Sequence, residues 1–155
     1  MEIQITFEKK SQEIDKNLVT KKMERALEDL GYHDKELSIL FTDDDRITEL
    51  NIRYLNRKGP TNVLAFPMIT SSDNEDSGLF PIETLSSSML GDIVISLDTA
   101  LKEARDLGES LQDTVDRLLV HGLLHLVGYD HEQSSEEEAR MNKEEKRLLK
   151  IINSL

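Results

Sequence analysis

The chain has 155 residues, 37% apolar and 32% charged, and its 19 basic against 31 acidic side chains leave a formal net charge of −12. That length suits one domain, residues 1–155, built around one hydrophobic core. The absence of cysteine excludes a disulfide framework and any thiolate metal site, so a metal would be held by nitrogen and oxygen alone. "MEIQITFEKK" at the start lacks the features of a secretory signal, and no apolar run approaches the ~20 residues that span a bilayer. A cytoplasmic location with no membrane partner is the expectation. Excess acid repels other polyanions at long range, but the charges are unevenly spread. Basic residues gather in "RYLNRKG" (Arg53–Gly59) and in Lys9, Lys10, Lys16, Lys21, Lys22 and Arg25 around the first helix. Acids gather at Asp43–Asp45, Asp73–Asp76 and Glu136–Glu145. The simplest reading of each run is a solvated face.

In chain order, "EIQITFE" (Glu2–Glu8) alternates apolar and polar residues as a half-buried strand does. Ile14, Leu18, Val19, Met23, Ala26, Leu27 and Leu30 then recur at helical spacing, with Gly31 placed as a C-terminal cap. His33, just beyond that turn, reads as an ordinary surface residue. "ELSILFT" (Glu36–Thr42) is a second strand. Asp43–Asp45 can cap a helix carrying Ile47, Leu50 and Tyr54, which "RKGP" is expected to break. "TNVLAFPM" (Thr61–Met68) reads as a third strand closed by Pro67. The polar, aperiodic stretch that follows predicts a long loop, with disorder near Ser71–Ser77. "LGDIVISL" (Leu90–Leu97) is a fourth strand rich in β-branched residues. Asp98–Leu107 reads as a helix ended by Gly108. Ser110 can cap the next, bearing Leu111, Val115, Leu118, Leu119, Leu123 and Leu126, with Gly128 as its stop. Ser135, with Glu138 three residues on, resembles a capping box for a last helix reaching Ile152. Strands come early and helices gather late, an α+β pattern with about five helices on a small mixed four-stranded sheet.

Three of the four histidines fall in "HGLLHLVGYDH", His121 to His131. His121 and His125 are four residues apart on a predicted helix, so they share a face with Cβ atoms roughly 5–6 Å apart. Gly128 then turns the chain, and His131 can approach from a third direction. Three neutral imidazoles leave a fourth position open for water, the arrangement of catalytic rather than structural zinc. A lone pair of histidines at this spacing is most often unrelated to metal. The third, arriving at the right interval after a helix stop, shifts the balance to a site. The spacing also matches that of the metzincin proteases, except that Gly122 stands where their glutamate would be.

Bound zinc lowers the pKa of its water to about 7 and polarises a carbonyl or phosphoryl oxygen, so an adjacent base is helpful without being obligatory. Gly122 removes the usual base of a peptidase. Asp130 and Glu132, beside His131, and Asp92, after Gly91, are candidates to orient an imidazole from behind.

The signature "HGLLHLVGYDH" resembles that of the YbeY family of bacterial endoribonucleases. "LNIRYLNRKGPTNVLAFP" is similar to the family's L-N-x-x-Y-R segment leading into P-T-[DN]-V-L-S-F-P, and "LGDIVIS" to its L-G-D-I-x-I-S segment, in the same order. The resemblance implies an α+β fold distantly like the zinc-protease domain, with a divalent metal, generally zinc, held by His121, His125 and His131. It implies cleavage of single-stranded RNA, a role in 16S ribosomal RNA 3′-end maturation and ribosome quality control, and as partners ribosomal RNA, small-subunit ribosomal proteins and a ribosome-associated GTPase. The family's arginine after the tyrosine is replaced here by Leu55, with Arg53 and Arg57 flanking it. A shift of two along a helix turns a side chain by ~200°, so neither is an automatic substitute. Beyond the metal ligands no catalytic residue is assigned. Two alternatives remain at this level: a metzincin-spaced peptidase, and a ribosome-associated binding protein whose metal is mainly structural.

Overall fold

The computed structural model describes residues 2–68, 88–129 and 134–155. The segment expected to be a long loop with disorder near Ser71–Ser77 lies outside the described residues, as do Asp130, His131 and Glu132.

The elements run β1 (Glu2–Phe7), α1 (Lys16–Leu30), β2 (Glu36–Thr42), α2 (Asp44–Leu55), β3 (Val63–Pro67), β4 (Met89–Ser96), α3 (Leu97–Leu107), α4 (Leu111–Leu126) and α5 (Ser135–Ile152). The four strands form one sheet in the order β1-β2-β4-β3. β1, β2 and β4 are parallel, and β3 returns antiparallel to β4 as an edge strand. The expected α+β architecture with a mixed sheet is what the chain adopts.

Side-chain alternation divides the core. Ile39, Phe41, Ile93 and Ile95 face α1, α4 and α5 and pack with Met23, Leu27, Leu119, Leu123, Met141 and Leu148. Leu40, Val94 and Leu64 face the other way, against Ile47 and Leu50 of α2. A strand buried on both faces carries a continuous apolar run, which explains "DIVIS" in β4. Each buried Leu or Ile contributes about 1.5–3 kcal/mol.

Local chemistry fixes the helix ends. Asp15, Asp43, Ser96 and Ser110 accept backbone N–H bonds as N-caps, and Gly31 and Gly108 take left-handed conformations at φ 83° and 68°. Most boundaries fall within one or two residues of expectation, and at two helix ends the capping residue explains the shift. α2 stops before "RKGP", because Asn56 adopts the left-handed conformation at φ 53° and its N–H closes back on the last turn. α5 is capped by Ser134 rather than Ser135, with Ser134 accepting from Glu137 N–H. Either serine has a glutamate three residues on, so the sequence offers two equivalent registers. One glycine is required by close approach: a Cβ on Gly91, at φ +153°, would lie 2.4 Å from Phe66 O and 2.8 Å from Leu126 Cδ2. The strand therefore passes tightly beneath α4.

The basic patch along α1 is not wholly a solvated face. Lys22 is buried, and its Nζ lies 2.6 Å from Asp116 Oδ2 on α4. Gln112 Nε2 donates to the other carboxylate oxygen at 2.7 Å. Burial pushes the Asp116 carboxyl up, against the opposing pull of Lys22 and Gln112.

Candidate functional site

α4 carries its apolar residues toward the sheet and its histidines toward one edge. His121 and His125, one turn apart, are both half-buried. Their rings lie edge to face with centroids 4.7 Å apart, and the two Nε2 atoms are 3.2 Å from each other. Two nitrogens bound tetrahedrally to one zinc at the usual bond lengths lie about 3.3 Å apart. The separation of the pair matches that of two nitrogens on one ion. The third sequence candidate, His131, lies outside the described residues, and among the described residues no set of three or more ligating side chains comes together.

His121 is held from behind. Its Nδ1 lies 3.0 Å from Glu145 Oε1 on α5. A carboxylate accepting from Nδ1–H fixes the tautomer that leaves Nε2 with its lone pair facing the cleft, and raises its basicity as a ligand. Glu145 belongs to the acidic run read above as a solvated face. The signal that could have found it is its position: Met141, Leu148 and Ile152 are the buried residues of α5, and Glu145 falls on the same helical stripe.

Gly122 also has a structural reason. A Cβ there would lie 3.1 Å from Ile93 Cγ2, so the residue points its missing side chain at the sheet. The helix seats closely on β4, and Gly122 leaves no carboxylate at the position of the peptidase glutamate.

The histidines open into a cleft of about 610 Å³ between α4 and β3, whose lining includes Arg57, Asn62, Ala65, His121, His125 and Tyr129. Leu55 lines it too, on the last turn of α2. Arg57, past the Asn56 cap, has its N–H bonded to Asn51 O at 3.2 Å. Its exposed guanidinium makes no ion pair with any described residue. Arg53 does not line the cleft and instead stacks over Tyr54, 5.4 Å from the ring centroid. Asn62 is tied back by Nδ2 to Glu103 Oε1 at 3.0 Å, and Glu103 Oε2 in turn pairs with Arg117, one turn before His121, at 3.2 Å.

Asp92 does not orient an imidazole of His121 or His125. Its neighbour Ile93 is the residue that meets Gly122, so by strand alternation Asp92 projects from the opposite face. It is buried, one carboxylate oxygen has no hydrogen-bond partner among the described residues, and burial pushes its carboxyl up to about 6 despite a bond from Ser38. The strand period alone could have excluded it. His33 is exposed, as expected.

The chain matches the family model described as "Endoribonuclease YbeY" over residues 4–153. It is similar to a protein named Endoribonuclease YbeY from Aquifex aeolicus, 43% identical over 93% of this chain and 88% of that one. A protein of the same name from Syntrophus aciditrophicus is 39% identical over 99% and 91%. Among solved structures, the solution structure of TM1509 from Thermotoga maritima superposes with a TM-score of 0.65 at 24% identity, over 97% of this chain and 88% of that one. That likeness speaks for the fold. Among the described residues no helix is long and apolar enough to cross a membrane.

Proposed function

The chain belongs to the endoribonuclease YbeY family, and we propose that it is a zinc-dependent endoribonuclease that hydrolyses single-stranded RNA. The observation that carries this reading is the pair of Nε2 atoms, 3.2 Å apart, in a cleft that also holds an arginine with no ion pair among the described residues. On this reading His121, His125 and His131 hold the metal. When bound, zinc supplies Lewis acidity and a water acidified to a pKa of about 7. Glu145 keeps the His121 ring turned so that Nε2 faces the cleft. Arg57 holds the RNA backbone through phosphate, a contact that positions without specifying sequence. It supplies the cationic group that Leu55 cannot. Tyr129, whose ring lies beneath the Arg140 guanidinium at 4.7 Å from its centroid, lines the end of the cleft beside Gly128.

The biological setting we propose is 16S ribosomal RNA 3′-end maturation and ribosome quality control in the cytoplasm, with small-subunit ribosomal proteins and a ribosome-associated GTPase as partners. A net charge of −12 disfavours indiscriminate binding to RNA, which suits an enzyme whose substrate is presented by an assembled particle. The peptidase alternative is disfavoured by the packing of Gly122 against Ile93. Purified protein loaded with zinc should cleave a single-stranded RNA, and His121→Ala should not. Equal cleavage by the variant would assign the activity to a contaminant and remove this reading.

A further inference from the structure

Among the described residues β3 is the outer strand of the sheet, and the edge it turns away from β4 runs along the same cleft as the two imidazoles. Which backbone groups point there follows from the register. Ser96 N–H donates to Asn62 O at 3.1 Å, and Met68 N–H donates to Leu90 O at 3.1 Å. Both pairs belong to the register that sets Val63 opposite Ile95 and Ala65 opposite Ile93. In an antiparallel ladder the residues that bond the partner strand alternate with residues that turn away. Asn62, Leu64, Phe66 and Met68 therefore bond β4, while Val63, Ala65 and Pro67 direct their backbone groups outward. Val63 N–H is already taken, donating to Asn62 Oδ1 at 2.8 Å, and Pro67 has none. Among the described residues the edge thus presents one donor without a partner, Ala65 N–H, flanked by the carbonyls of Val63, Ala65 and Pro67.

We propose that this edge is a ribonucleotide-binding ledge, in which Ala65 N–H donates to a phosphate oxygen of the RNA and the neighbouring carbonyls accept from ribose 2′-hydroxyls. The inference rests on the endoribonuclease reading and adds to it the element that distinguishes RNA from DNA. An added peptide strand would need donors and acceptors in alternation, which the engaged Val63 N–H and Pro67 deny. A nucleic-acid backbone offers a phosphate acceptor and, in RNA only, a hydroxyl donor per nucleotide, matching one donor among acceptors. Arg57 in the same cleft supplies the charge that a single amide lacks.

The direct test is the 1H–15N spectrum of the zinc-loaded full chain, titrated with a short single-stranded RNA in which non-hydrolysable methylenephosphonate linkages replace the phosphodiesters and every 2′-hydroxyl is kept. Ala65 N–H should shift strongly downfield with RNA, and the all-deoxy oligonucleotide of the same sequence should bind at least about tenfold more weakly, the equivalent of 1.4 kcal/mol. Ala65→Pro removes the outward donor without touching a bond to β4, and edge strands tolerate proline there. It should bind RNA about tenfold more weakly while its urea midpoint stays close to that of the wild type. An unmoved Ala65 amide at saturating RNA overturns the ledge, as does equal binding of RNA and DNA. So does a shift produced by an extended peptide and not by RNA, which would make the edge a strand-addition site. Because the readout is binding, failure of the wild type to cleave would count against the proposed activity alone.

Discussion

His121 Nδ1 lies 3.0 Å from Glu145 Oε1, so a residue near the middle of the last helix fixes the ring of a histidine on the helix before it. Glu145→Ala removes the acceptor and lets the imidazole choose its tautomer and rotate. Loss of such a supporting carboxylate typically costs 10–100-fold in metal affinity. Competition for zinc against a chelating dye should show about that loss for Glu145→Ala and a smaller one for Glu145→Gln. Unchanged affinity in the alanine variant would mean that Glu145 does not support a metal ligand.

Arg57 and Arg53 should separate cleanly. An arginine–phosphate bond contributes about 1.5–3 kcal/mol, so Arg57→Ala should lower kcat/KM on RNA by roughly 10–100-fold. Arg53, stacked over Tyr54 and outside the cleft, should change it less than about twofold when replaced by alanine, a surface-scale effect. The reverse ranking would place the RNA on the other side of α2.

Lys22 and Asp116 join α1 to the helix that bears the histidines. Lys22→Met leaves the Asp116 carboxylate buried beside Gln112 alone, and breaking a buried pair this way costs about 3–5 kcal/mol. Replacing both, as Lys22→Met with Asp116→Leu, should recover most of that loss. Urea unfolding of the three variants decides it. A single variant as stable as the wild type would contradict the burial of the pair.

Asp92 predicts a pH dependence. Its carboxyl rises from an ordinary 3.8 to about 6 on folding. Between those values the native state binds more protons than the unfolded chain, so the contribution of Asp92 to stability falls as pH rises through the window. It is fully unfavourable above about 6, by up to about 3 kcal/mol. Asp92→Asn removes this slope. Urea midpoints should therefore show the wild type losing stability relative to the variant between pH 4 and pH 7. A constant difference would mean that Asp92 titrates normally.

Much of this was legible before any coordinates. Gly31 and Gly108 mark helix ends because few other residues take left-handed conformations, and the alternating and continuous apolar runs of β1 and β4 reflect burial on one face and on two. What periodicity could not supply was the partner of each polar residue. Lys22 and Glu145 sit in charged runs that look uniformly solvated, and only the packing of α4 against α1 and α5 turns one to Asp116 and the other to His121. For Asp92, one candidate to orient an imidazole, the two-residue period of the strand decides: Ile93 meets Gly122, so Asp92 faces the other way. Leu55 and Arg57 could not be ranked from sequence, since their placement depends on α2 ending at Asn56 rather than at the following glycine and proline.

The central claim is that His121 and His125 hold the metal on which RNA cleavage depends. Zinc content and cleavage of a single-stranded RNA should be measured on the same gently purified samples of wild type and His125→Ala. The account predicts about one zinc per chain and cleavage for the wild type, with both lost in the variant while its fold persists. A folded His125→Ala protein that cleaves RNA at the wild-type rate would contradict it.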